Sequence, residues 1–369
     1  MLIGKVFGIE VELHPTFVWL ISGLALFLLV FDTANLVPSL MMLTFLFVSV
    51  FVHELCHSLV AMSKHYKVQR IVLMPIGGVS IADEMPEKPI DEFLVAIAGP
   101  MFNFLVVFGI LFLVAAVPGL PWPHALFNAN VQPEAVEEAM LAFPLFALMW
   151  VNLMLGVFNL FIPALPMDGG RVLRAILSAV VGHAKATVWA SKISQVFAIL
   201  MGVLGFFGGN FMLAIIAVFI YLGAGYERDL AVVKATMRGV DYSAAIEKKF
   251  IAVDESLPLN KVMEAMMAKN LDLVLVRRDT GLGFLSADRL MALDKEKRFS
   301  SLTAGQAAAP VPLFVEGTPA EKLMGWFATK GTPVIGLSRK GTLLGVVTQE
   351  SLDRLYQLTR LKKKFDLQY

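Results

Sequence analysis

Apolar positions fall in long, nearly unbroken runs up to about residue 225, and after Glu227 the chain becomes mixed and polar. A bilayer core about 30 Å thick needs about 20 mostly apolar residues per helix. Six stretches answer to this: Phe17–Phe31, Leu40–Met62, Phe93–Val117, Met140–Phe161, Ile193–Phe207 and Phe211–Leu222, the last two short and separated by Gly208, Gly209 and Asn210. Met1 to His14 alternates apolar and polar residues, the period of a short hairpin. No small-residue cleavage site follows Phe31, so the first span is read as retained rather than as a signal peptide. The expected architecture is an α-helical integral membrane protein with about six transmembrane helices (1–226), a linker (227–248) and a cytoplasmic α/β domain (249–369).

Composition agrees with a lipid environment: 57% of the 369 residues are hydrophobic and 17% charged, and the mean hydropathy is +0.71. A formal net charge of +1 gives no basis for nucleic-acid binding, and the single Cys56 excludes an intramolecular disulfide framework. Cytoplasmic loops carry the excess of Lys and Arg. Asp32–Ser39 and Pro118–Glu138 contain neither, whereas Lys64, Lys67, Arg70 and Lys88 lie between spans two and three, and Arg171, Arg174, Lys185 and Lys192 between spans four and five. With six spans, this puts the amino terminus, the carboxy terminus and the tail in the cytoplasm of a multi-pass cell-membrane protein.

Span two contains Phe51-Val52-His53-Glu54-Leu55-Cys56-His57. Histidines four apart share one helical face, which suits a single zinc ion, and Glu54 beside them is a carboxylate that can move a proton between water and a leaving amine. Ionisable groups in a bilayer are costly and mark function. Two imidazoles leave a catalytic zinc one protein ligand short. Asp168 is the best third ligand: it follows span four in Asn159-Leu160-Phe161-Ile162-Pro163-Ala164-Leu165-Pro166-Met167-Asp168-Gly169-Gly170-Arg171, where the prolines stop the helix and the glycines predict a tight turn on irregular backbone. The bland alternative is a solvated turn with Asp168 paired to Arg171. Cys56 is read as a small packing residue rather than a ligand, and His14, His65, His124 and His183 are left outside the site.

Together these residues resemble the site-2 protease family of intramembrane zinc metalloproteases. The resemblance implies one zinc per chain on His53, His57 and Asp168, with Glu54 as the catalytic carboxylate. It also implies a role for Asn159 in holding substrate or stabilising the oxyanion; the stretch to Asp168 is one residue longer than the family pattern, which keeps Asn152 as the alternative. Gly77-Gly78-Val79 resembles the family's membrane-inserted hairpin that presents substrate as a strand, and Ala98-Gly99-Pro100-Met101-Phe102-Asn103 is read as helix packing without chemistry. The implied reaction is peptide-bond hydrolysis in or near a transmembrane segment of a membrane-protein substrate, whose helix must unwind before attack because its amides are internally bonded.

In the tail, Gly283-Phe284-Leu285-Ser286 and Gly345-Val346-Val347-Thr348 match at an offset of 62 (345 − 283), as do Val253 with Val315 and Ser256 with Thr318. This is an internal duplication of a β-α-β-β-α unit, and it resembles a tandem pair of cystathionine-β-synthase-type (CBS) domains. That likeness implies an adenine nucleotide, ATP or AMP, at Ser286 and Thr348, although Arg289 and Ser351 stand where the family places Asp, and a homodimer formed through the pair. Two other classes compete: a transporter gated by a nucleotide-sensing tail, against which no duplicated set of broken helices is found, and a metal-retaining scaffold, which would not need Glu54.

Overall fold

A computed structural model describes residues 1–31, 33, 36–75, 77–82, 86–124, 132–247, 251–279, 281–295, 302–330, 332–339 and 342–366. The chain divides into two compact units, Met1–Asp229 and Leu230–Tyr369.

The first unit opens with the expected hairpin: β1 (Leu2–Val6) pairs antiparallel with β2 (Ile9–Leu13) through a turn in which Phe7 and Gly8 both have positive φ, 51° and 84°. Two positive-φ residues match the right-handed twist of the flanking strands. Helices α1 (Pro15–Phe31) and α2 (Leu36–Ser63) follow, then β3 (Val68–Met74) and β4 (Gly77–Ala82). Strand β2 runs parallel to β3, and β3 antiparallel to β4, so the sheet order is β1-β2-β3-β4 with β4 at one edge. Ile9, Ile71 and Leu73 from the sheet pack against Val50 and Leu55 of α2. Full burial of such side chains contributes about 2 kcal/mol each, which ties α2 to the sheet.

The apolar helices continue as α3 (Pro89–Ala116), α4 (Pro133–Ala142), α5 (Pro144–Phe161), α6 (Asp168–Val181), α7 (His183–Phe207) and α8 (Phe211–Met237). Among the described residues, five helices, α2, α3, α5, α7 and α8, are long and apolar enough to cross a membrane. Helix α1, with 17 residues, is shorter, about 26 Å at 1.5 Å per residue. Three expectations need correction. Span four was expected to begin at Met140, but Phe143 leaves the helix and Pro144 opens a new one, because proline suits a first helical turn and breaks an interior. Spans five and six are longer than expected, since α7 starts at His183 and α8 runs to Met237, taking in residues 227–237 of the expected linker. Asp168 does not sit on irregular backbone: it is the first residue of α6. The glycines after it serve close approach rather than a turn. A Cβ on Gly169 would strike the carbonyl oxygens of Leu160 and Ile162, and one on Gly170 the backbone of Ala164 and Leu165.

The second unit repeats one topology. Strand β5 (Ala252–Asp254), α9 (Leu259–Lys269), β6 (Leu273–Arg278), β7 (Gly281–Ser286) and α10 (Ala287–Lys295) form the first copy. After α11 (Ala304–Ala307) and β8 (Ala309–Pro310), the second copy is β9 (Leu313–Val315), α12 (Ala320–Lys330), β10 (Val334–Arg339), β11 (Thr342–Thr348) and α13 (Gln349–Asp366). In each copy the first two strands are parallel and the next two antiparallel. Glu247 bridges to Val346 of the second copy, and β8 pairs with β7 of the first. Ala309 follows Glu247 by the same 62 residues (309 − 247), so each copy's leading segment pairs with the other copy's strand. Residues 248–250, where the tail domain was expected to begin, lie outside the described residues.

Candidate metal centre

Three helices bring the expected ligands together. His53 and His57 project from one face of α2, and Asp168 heads α6. His53 Nε2 lies 3.1 Å from Asp168 Oδ2, His57 Nε2 lies 3.2 Å from the same oxygen, and the two Nε2 atoms are 3.1 Å apart. All three side chains are buried. Among the described residues, this is the one group of three His, Cys, Asp or Glu side chains able to share a metal ion. Tetrahedral ligands at about 2.0–2.1 Å from zinc are separated by about 3.3 Å, close to what is observed.

The third helix, α3, crosses behind the imidazoles. His57 Nδ1 donates to the carbonyl of Val95 at 2.6 Å, which leaves Nε2 as the ring's lone-pair atom. His53 Nδ1 lies 2.6 Å from Asn103 Oδ1, and Asn103 is fully buried. Between them on α3, Gly99 faces the ligand atoms: a Cβ there would lie 2.6 Å from His53 Nε2 and closer still to His57 Nε2. The only residue without a side chain thus stands where a methyl group would fill the cradle between the rings. Lone-pair atoms converging on a space kept clear suit a divalent cation.

Around this centre, Glu54 is half-buried and its Oε2 accepts from Ser80 Oγ of β4 at 2.8 Å. A Cβ on Gly78 would meet Glu54 Cγ at 2.5 Å, so glycine lets β4 lie against this carboxylate. Arg171 Nη1 is 3.7 Å from Asp168 Oδ1, so the pairing weighed in the bland reading is present, but on the oxygen that faces away from the histidines. Helix α6 is fastened to α3 by Arg174, whose Nε donates to Glu92 Oε1 at 2.5 Å and whose Nη1 donates to Glu227 Oε2 of α8 at 2.8 Å.

The chain resembles known proteins over this region. The profile of Peptidase family M50 matches residues 41–204. A zinc metalloprotease of Methanocaldococcus jannaschii is 33% identical over 268 residues, which are 71% of this chain and 70% of that protein. This chain belongs to peptidase family M50. It is a zinc metalloprotease of the site-2 type, and a putative zinc metalloprotease of Synechocystis is 31% identical over 71% of the chain and 66% of that protein. The solved site-2 protease from Methanocaldococcus jannaschii is 36% identical to this M50 chain, covering 62% of it and 94% of that structure, with a TM-score of 0.43. Over the tail, a solved CBS-domain structure is 16% identical, covering 29% of this chain and 88% of that one, with a TM-score of 0.27.

The M50 chain places its other expected site residues elsewhere. Asn159 lies on α5, half-buried, with Nδ2 donating to Leu155 O at 3.0 Å. Asn152, two turns earlier and buried, joins Asn103 and Ser49. Ser286 Oγ accepts from the backbone N–H of Arg289, and Thr348 Oγ1 from that of Ser351, so both tail hydroxyls cap helices. Cys56 is half-buried and outside the ligand group. Sequence reading missed Gly99, Asn103, Ser80 and the Val95 carbonyl. The one signal for Asn103 was an amide within a long apolar run, where a polar group needs a partner.

Proposed function

We propose that this protein is an intramembrane protease whose zinc is held by His53, His57 and Asp168, and that it cleaves a transmembrane protein substrate from the cytoplasmic side of the membrane. The observation that carries the reading is the mutual approach of two Nε2 atoms and one carboxylate oxygen to 3.1–3.2 Å in a buried cradle. A zinc ion there supplies Lewis acidity, which polarises a peptide carbonyl and acidifies water. Glu54 takes the proton from the attacking water and returns it to the leaving amine, and its bond from Ser80 fixes the carboxylate beside β4. Asn159 has one N–H committed to Leu155 and a second available for the developing oxyanion. The free edge of β4 lies next to this machinery, and a substrate strand added there would be extended, the form in which a peptide bond is open to attack. An apolar groove of about 930 Å³ between α2 and α5, lined by Met42, Leu46, Trp150, Met154 and Phe158, suits the remaining helical part of such a substrate.

Both termini are cytoplasmic in this reading, on the Lys and Arg distribution. The tail is a CBS pair that binds ATP or AMP, modulates cleavage and supports a homodimer; its duplicated topology and exchanged leading segments support that assignment. Calorimetry of the full chain with millimolar AMP or ATP tests the nucleotide, and absence of heat overturns it.

The activity is tested with the purified protein in lipid vesicles containing a single-span substrate. Cleavage should cease on zinc chelation and return with zinc, and should fall at least tenfold when helix-weakening Gly or Pro residues in the substrate span become Leu, since unwinding then costs more. Cleavage unaffected by chelation contradicts the proposal.

A further inference from the structure

We infer that a directional chain of buried amides, from the backbone of α5 through Asn152 and Asn103, fixes His53 in the tautomer that leaves Nε2 free for metal, which makes Asn152 a positioning residue. The inference rests on the proposed ligand role of His53.

The chain's polarity is set at its far end. Asn152 Nδ2 lies 2.9 Å from the carbonyl oxygen of Leu148, one turn back on α5, and 2.9 Å from Ser49 Oγ. A carbonyl can only accept, so the group of Asn152 facing it must be its NH2. Its Oδ1 therefore faces Asn103, 2.8 Å away, and what Asn103 presents in return must be its own NH2. The remaining Asn103 atom, Oδ1, then points at His53 Nδ1 at 2.6 Å, and because that oxygen only accepts, Nδ1 carries the proton. Each step follows from the one before, and the starting point is a main-chain group that no rotation can reverse.

Burial makes the chain obligatory. Ser49, Asn103 and Asn152 are at most 3% exposed, in helices whose surroundings are apolar, so an amide turned the wrong way would face a like group with no water to relieve it. Both N–H groups of Asn152 are committed, which removes it as a source of an oxyanion donor and leaves its part as orientation. His57 needs no such chain, because its Nδ1 donates directly to the Val95 carbonyl.

The experiment compares zinc affinity, by chelator competition on the full-length protein in detergent, for wild type and three variants. Asn152→Leu removes the anchor and lets the Asn103 amide turn, so affinity should fall about 10- to 100-fold, the usual effect of losing a group that orients a metal-bound histidine. Ser49→Ala leaves the Leu148 anchor in place and should stay within about twofold. Asn152→Asp still accepts from Asn103 and should recover most of the loss. A second readout does not depend on the variants folding: ¹⁵N spectroscopy of zinc-free wild type should find His53 protonated on Nδ1. Equal affinity of Asn152→Leu and wild type, or His53 protonated on Nε2 in the zinc-free protein, overturns the inference. Failure of wild type itself to bind zinc would instead overturn the ligand assignment beneath it.

Discussion

Gly99 faces His53 so closely that a Cβ built on it would lie 2.6 Å from the ring's Nε2. Glycine in mid-helix costs about 1 kcal/mol relative to alanine, so at this position the helix gives up stability to keep the space between the imidazoles clear. Gly99→Ala should therefore fold, with helix propensity working in its favour, yet bind zinc at least about 100-fold more weakly. Zinc content after dialysis against a weak chelator reads this, and a fully zinc-loaded Gly99→Ala protein would refute the role given to the glycine.

The Glu92–Arg174 pair carries a different prediction. Glu92 is fully buried and Arg174 is 7% exposed, and Arg174 links α3, α6 and α8 through Glu92 and Glu227. Removing one partner of a buried ion pair strands the other, at a cost of about 3–5 kcal/mol. Arg174→Met should lower the thermal unfolding midpoint markedly, and the Glu92→Gln, Arg174→Met double variant should be less destabilised than the sum of the two single changes. Strict additivity in that cycle would mean the two side chains act independently.

In the tail, Thr348 closes a reciprocal cap: its Oγ1 accepts from Ser351 N–H at 3.2 Å, and Ser351 Oγ accepts from Thr348 N–H at 3.2 Å. Thr348→Val keeps the shape and removes the acceptor, so α13 should lose about 1 kcal/mol. Thermal unfolding of the tail, followed by circular dichroism, should shift down by a few degrees; an unchanged midpoint would show that the hydroxyl is not needed as a cap.

The ligands were legible because each announces itself locally. His53 and His57 share a face by spacing alone, and a carboxylate beside membrane-depth prolines is rare enough to single out Asp168. The partners of those ligands were not legible, because they depend on how α3 is rotated against α2. Nothing in Gly99-Pro100-Met101-Phe102-Asn103 tells which residue faces an imidazole until the helices are packed, and the Val95 carbonyl has no side-chain signature at all. Gly169 and Gly170 were misread as a turn, because the sequence signal for conformational freedom is the same as the signal for close approach. The repeat offset of 62 in the tail was plain, whereas the pairing of each leading segment with the other copy's strand was not, since a single bridge such as Glu247 to Val346 leaves no periodic trace. Helix α8 ran past its expected end because apolarity stops near Tyr226 while residues with good helix propensity continue to Met237.

The central claim is that zinc sits on His53, His57 and Asp168 while Glu54 moves the proton. It is tested most directly by measuring zinc stoichiometry and cleavage of a transmembrane substrate side by side for wild type, Glu54→Gln and Asp168→Ala. The account expects one zinc per chain with activity for wild type, one zinc without activity for Glu54→Gln, and neither for Asp168→Ala. A Glu54→Gln protein that cleaves at the wild-type rate, or an Asp168→Ala protein that retains a full equivalent of zinc, would contradict it.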